Sequence, residues 1–117
     1  MKKVYHLSTC STCKRIIDNL QLKSKNFDFQ DIKTNKITRE QLEQMHEMAG
    51  SYEALFSRRS MQFKARNLGK EQLTESDYKM LILDEYTFLK RPVVLLNNQI
   101  FIGNAKKNLE QLKNAQL

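Results

Sequence analysis

Cys10-Ser11-Thr12-Cys13 stands between two stretches of different period, and that junction constrains the fold more than any other feature of the chain. Ahead of it, Lys3-Val4-Tyr5-His6-Leu7 is a short β-branched and aromatic run of the kind that forms a strand. Behind it, Lys14 to Leu22 carries Ile16, Ile17 and Leu20 on one helical face. The polar stretch from Ser8 to Cys13 must therefore turn a strand into a helix. Phe27-Asp28-Phe29-Gln30-Asp31-Ile32 then alternates apolar and polar, which predicts a second, half-buried strand. Two strands joined through a helix run parallel, because the helix carries the chain back to the starting edge.

The middle of the chain reads as helical. Thr38-Arg39-Glu40-Gln41 has the spacing of a capping box, with Leu42, Met45 and Ala49 as the inward stripe and Gly50 as the stop. A short segment, Tyr52 to Phe56, follows, then a polar stretch from Ser57. Thr74-Glu75-Ser76-Asp77 looks like another helix start, ahead of Tyr78, Leu81, Ile82 and Glu85. After Arg91-Pro92, the runs Val93-Val94-Leu95-Leu96 and Ile100-Phe101-Ile102 flank Asn97-Asn98, the signature of a hairpin. Asn104 is placed to cap a closing helix through Leu109 and Leu112. The expectation is one α/β domain over residues 1–117, with a mixed sheet of four strands and helices on both faces. An all-helical insert, roughly residues 36–88, separates its βαβ and ββα halves. A strand, a cysteine-bearing turn and a helix in that order form the thioredoxin-like, or glutaredoxin-like, arrangement.

Composition narrows the setting. No apolar run approaches the roughly 20 residues that span a bilayer, so no membrane partner is expected. Met1-Lys2-Lys3-Val4 starts basic but leads into no apolar stretch of signal-peptide type. A cytoplasmic location follows, where thiols stay reduced and a close cysteine pair serves chemistry. Two cysteines also cannot staple a small scaffold. The 20 Lys and Arg residues exceed the 13 Asp and Glu by seven. Five of the basic residues, Arg58, Arg59, Lys64, Arg66 and Lys70, fall between Ser57 and Lys70 with no acidic residue among them. Such a stretch is either a solvated segment or a place for an anion: an oxyanion, a glutathione carboxylate or an acidic protein surface. Nucleic acid is disfavoured, since few aromatics are interleaved to stack on bases.

At the start of a helix, Cys10 would face unpaired backbone N–H groups and the positive end of the dipole. Both favour the thiolate and make Cys10 the candidate nucleophile. Cys13, one turn along, is close enough to attack a mixed disulfide formed at Cys10. Lys14 and Arg15 add positive charge just beyond, so Lys14 is a candidate to stabilise the thiolate. His6, four residues before Cys10, either does the same or faces solvent or core. No metal site is expected, because His6 and His46 are the other soft ligands and neither has zinc spacing. Pro92 either begins a strand or forms a cis bond against an active site.

Taken together, these motifs resemble the arsenate reductase (ArsC) and Spx family, in particular its reductase-like (YffB-type) branch. The matches are Val4-Tyr5-His6 before the cysteine turn, Tyr52-Glu53-Ala54-Leu55-Phe56 before Arg59-Ser60, Lys90-Arg91-Pro92, and Ile102-Gly103 before the last helix. The resemblance implies that Cys10 is the nucleophile and that Arg59 and Arg91 bind an oxyanion or thiol substrate. It also implies that Pro92 is a cis proline facing the cysteines, and that His6 lies near the nucleophile. No bound cofactor is implied, with glutathione or another thiol as co-substrate and glutaredoxin or thioredoxin as partner. The second cysteine, and the lack of a basic residue at Ile102-Gly103, depart from glutaredoxin-linked arsenate reductases. Both lean towards Spx and the reductase-like branch; Spx is a redox-sensing regulator that docks on the RNA polymerase α subunit, with Gly50-Ser51 matching the docking region.

Overall fold

The computed structural model describes residues 1–115, and within them the chain divides into two compact units. The first comprises Met1–Lys36 and the chain from Arg91 onward, and the second is Ile37–Lys90.

The first unit is built on a four-stranded sheet. Strand β1 (Lys2–His6) leads into helix α1 (Ser11–Asn19), and a 3-10 turn at Leu22–Ser24 returns the chain to β2 (Asp28–Asp31). The hairpin of β3 (Val93–Leu96) and β4 (Gln99–Ile102) precedes the closing helix α5 (Lys106–Asn114). The sheet order is β2-β1-β3-β4, with β1 and β2 parallel and the other pairs antiparallel. This is the mixed sheet anticipated from the crossover and the hairpin. Asn97 adopts φ 55°, the left-handed conformation that a tight two-residue turn requires. One face of the sheet contributes Val4, Val94, Leu96 and Phe101 to a core with Ile17 of α1, Leu22, Phe27 and Leu112 of α5. All four residues of β3 are buried, as a continuous apolar run demands.

The boundaries differ from the sequence reading at the start of α5 and at both ends of α1, which stops at Asn19 rather than Leu22. Helix α1 starts at Ser11 rather than Lys14, because extended Cys10 (φ −90°, ψ 111°) acts as its N-cap and its carbonyl accepts from Lys14 N–H at 3.1 Å. Asn104 does not cap α5; Ala105 holds that place without a side-chain bond. The amide that matters there is Asn108, one turn into the helix. It accepts from Ile102 N–H at 3.1 Å and donates to the Gly103 carbonyl at 2.8 Å, tying α5 to the outer edge of β4.

The second unit holds α2 (Arg39–Ala49), α3 (Met61–Ala65) and α4 (Glu75–Asp84), with 3-10 turns at Glu53–Leu55, Leu68–Lys70 and Tyr86–Phe88. The anticipated capping box of Thr38 with Gln41 forms, and the helix start at Thr74 is a second one, with Asp77. Gly50 ends α2 at φ 90°, where a side chain would be strained. Phe56 packs against Phe63, Tyr78 and Phe88 with ring centroids 6.0, 4.9 and 5.0 Å away. Glu75 supplies a less obvious cap: its carboxylate accepts from Tyr52 N–H at 2.7 Å and Glu53 N–H at 3.0 Å, fixing the turn that precedes the aromatic cluster.

Leu95 of β3 is 0% exposed and Met61 of α3 is 88% exposed. Leu95→Ala should cost about 3 kcal/mol in urea unfolding through lost burial and the cavity left behind. Met61→Ala should stay within about 0.5 kcal/mol. Equal costs for the two would mean the core is misplaced.

Candidate active site

The register of the sheet assembles the site. Tyr5 is the last residue of β1 paired with β3, opposite Val93. The chain approaching β3 through Arg91 and Pro92 therefore runs beside the chain leaving β1 towards Cys10. The Arg91-Pro92 bond is cis, and Pro92 is buried. Its carbonyl accepts from Gly103 N–H at 2.8 Å, with Gly103 at φ 80°, so the far hairpin holds the proline in place.

Both cysteines are free thiols, and their surroundings are unequal. Cys13 lies inside α1 at 0% exposure, whereas Cys10 at the N-cap is partly exposed. Partial burial disfavours the Cys10 thiolate, but the Cys13 N–H and thiol, the Thr12 N–H and the Arg91 charge outweigh it and lower its pKa. Sulfur makes no full capping hydrogen bond here, yet those N–H groups still act on it. Cys13 is driven the other way. Burial, with the neighbouring Cys10, pushes it up to about 11, against the Leu7 N–H and Arg91. One cysteine is prepared to ionise and the other to keep its proton, the division of labour that a nucleophile and a resolving thiol require.

Of the remaining sequence candidates, His6 rests edge-on to Phe29 with centroids 5.8 Å apart. Burial lowers its pKa, and its electrostatic neighbours are Asp31, which opposes that shift, and Lys23. Lys14 is exposed on α1. Neither His6 nor Lys14 is among the groups that set the Cys10 pKa above; Arg91 is the charge that does.

The basic stretch resolves into separate roles within the second unit. Arg58 donates to Tyr78 Oη at 2.6 Å and Glu53 at 3.0 Å, and lies over the Phe56 and Tyr78 rings. Arg66 pairs with Asp84 at 2.9 Å and lies over Phe88. These two charges brace the aromatic cluster. Arg59, Lys64 and Lys70 are exposed, Arg59 in the turn before α3.

Leu7 and Thr12 were not singled out from sequence, because both act through backbone N–H groups that any residue could supply. Among the described residues, no three His, Cys, Asp or Glu side chains gather as a metal site. No helix among them is long and apolar enough to cross a membrane.

A mixed four-stranded sheet with a Cys-x-x-Cys turn at the start of its first helix defines a thioredoxin-like protein. The chain matches the ArsC family model over residues 5–112 and belongs to that family. It is 24% identical over 100 residues to the regulatory protein MgsR of Bacillus subtilis (strain 168), covering 85% of this chain and 79% of that protein. Among solved structures, an ArsC-family-related protein from Bacteroides fragilis superposes with a TM-score of 0.79 at 20% identity, covering 95% and 96% of the two chains. An arsenate reductase from Vibrio cholerae superposes at 0.75, also with 20% identity, covering 94% and 92%. At these identities the structural likeness speaks for the fold.

Alkylation of Cys10 by iodoacetamide should be half-maximal below the pH of a free thiol. Arg91→Ala should raise that midpoint, because a neighbouring cation favours the charged form. An unchanged midpoint would remove Arg91 from the site.

Proposed function

We propose that this protein is an ArsC-type thiol oxidoreductase in which Cys10 is the nucleophile. The observation that carries the reading is the opposed tuning of the two sulfurs: Cys10 lowered and partly exposed, Cys13 raised and buried. With a disulfide substrate, the Cys10 thiolate attacks one sulfur, forms a mixed disulfide and expels the other half as a thiolate. Cys13 then loses its proton and attacks Cys10, forming the intramolecular disulfide and releasing the second half. An external thiol such as glutathione, or a glutaredoxin or thioredoxin, returns both cysteines to thiols.

With an oxyanion such as arsenate, the Cys10 sulfur displaces water from arsenic. Attack on Cys10 by Cys13 or glutathione then leaves the electron pair of the sulfur–arsenic bond on arsenic, reducing it. Arg91 supports the negative charge at this centre, and Arg59 is the proposed second cation for the substrate, by its match to the family motif. Assays with arsenate plus glutathione and glutaredoxin, with arsenate plus thioredoxin, and with small or glutathione-mixed disulfides test the reading. Turnover on at least one and its loss in Cys10→Ser are expected. No turnover on any of them would defeat it.

The match to MgsR supports a second reading, a redox-sensing regulator of the Spx type acting on the RNA polymerase α subunit. Pull-down with the α C-terminal domain separates the two. Retention in one redox state supports the regulator, and no retention in either rejects it.

A further inference from the structure

A chain of hydrogen bonds runs from the closing helix to the proline that follows Arg91. Asn108 of α5 donates its side-chain amide to the Gly103 carbonyl at 2.8 Å, and its side-chain oxygen accepts from Ile102 N–H at 3.1 Å. One half-buried side chain thus grips both ends of the Ile102-Gly103 pair. Buried Gly103, held at φ 80°, turns its own N–H to the Pro92 carbonyl at 2.8 Å.

The strands bring the far end of this chain to the cysteines. Val93 pairs with Ile102 of β4 on one side and with Tyr5 of β1 on the other, so the three segments lie abreast. Past β1, the Leu7 carbonyl accepts from Cys10 N–H at 2.9 Å, which keeps the cysteine turn at the same end of the sheet. Both ladders stop at Val93, and Arg91 and Pro92 lie beyond them. Proline has no N–H, so its carbonyl is its whole main-chain hydrogen-bonding capacity. Gly103 takes that carbonyl, and Asn108 holds Gly103.

We propose that Asn108 is a positioning residue for the active site: by holding Gly103 it fixes the Pro92 carbonyl, and so sets where Arg91 stands beside Cys10. The proposal rests on the reading above in which Arg91 supports negative charge at this centre. The titratable and charged groups that act on Cys10 are Cys13 of its own helix and Arg91 of the neighbouring segment. Asn108 carries no charge and acts through the place of that cation.

The test is the pH midpoint of Cys10 alkylation by iodoacetamide in the full chain, with the modified cysteine identified by mass spectrometry. Asn108→Ala should raise the midpoint by about half a pH unit, the scale of drawing one close cation back by about 1 Å. Arg91→Ala should raise it in the same direction, and adding Asn108→Ala to that variant should change almost nothing further. Asn108→Gln keeps the same donor and acceptor and should recover part of the shift. Leu112→Ala loosens α5 at a buried position without touching these bonds, and should leave the midpoint where it is. Should Asn108→Ala fail to fold, Gly103→Ala decides the matter from the other end of the tie. A side chain is strained at φ 80°, so the same rise is expected there.

An unchanged midpoint in Asn108→Ala, or in Gly103→Ala where that variant stands in, overturns the proposal. An equal rise in Leu112→Ala also overturns it, because that is general loosening. So does a full further rise when Asn108→Ala is added to Arg91→Ala, since the effect would then bypass the cation. An unchanged midpoint in Arg91→Ala alone would overturn the role of Arg91 beneath the proposal, and the proposal with it.

Discussion

The first N–H groups of a helix need partners, and at the start of α1 the residue in that place is a cysteine. Much of the first unit follows from this. The strand β1 ends one short turn before the helix, so the sulfur is delivered just beyond the C-terminal end of an interior strand. The antiparallel pairing of β1 with β3 brings the Arg91-Pro92 segment alongside, and a cation arrives next to the sulfur by strand register. Burial opposes ionisation at both cysteines, and only the one at the helix start receives enough N–H and charge to overcome it. One helix end thus differentiates two chemically identical residues three positions apart.

The excess of basic residues has a different meaning in the folded chain than in the linear one. Five cations without an intervening anion read along the chain as either a solvated segment or a place for an anion. Folding brings Glu53 and Asp84 to Arg58 and Arg66 and lays both guanidinium groups over aromatic rings. These partners are 5 and 18 positions away, and no local pattern announces them. Guanidinium groups suit this use, being planar and weakly hydrated, and able to bond a carboxylate while covering a ring. Arg58 and Arg59 are both exposed, but Arg58 is held by Glu53 and Tyr78.

What was legible in the sequence was local. Thr38 with Gln41, Thr74 with Asp77, Gly50 and Asn97 each announce their own conformation within four residues, and each has it. Strand polarity followed from the connections, a crossover for β1–β2 and a hairpin for β3–β4. The Cys-x-x-Cys was legible for the same reason. What was not legible depends on register or on distant partners. Asn104 has the chemistry of a cap, but Ala105 holds that place, and Asn108 inside the helix meets the open edge of β4. His6 is close to Cys10 along the chain, and in the fold its ring meets Phe29 of β2, with Asp31 and Lys23 as its charged neighbours. Asp31 looked like one polar position in an alternating strand, and only the β1–β2 pairing sets it opposite His6.

The central claim is that the helix start and Arg91 separate the two thiols, with Cys10 ionising first. Selective carbon-13 labelling of the cysteine Cβ atoms, followed by NMR titration of the reduced protein, reads both ionisations in one sample. The account predicts two resolved steps: Cys10 below the range of a free thiol, and Cys13 only near pH 11. A single shared step at the pH of a free thiol, or Cys13 ionising first, would contradict it.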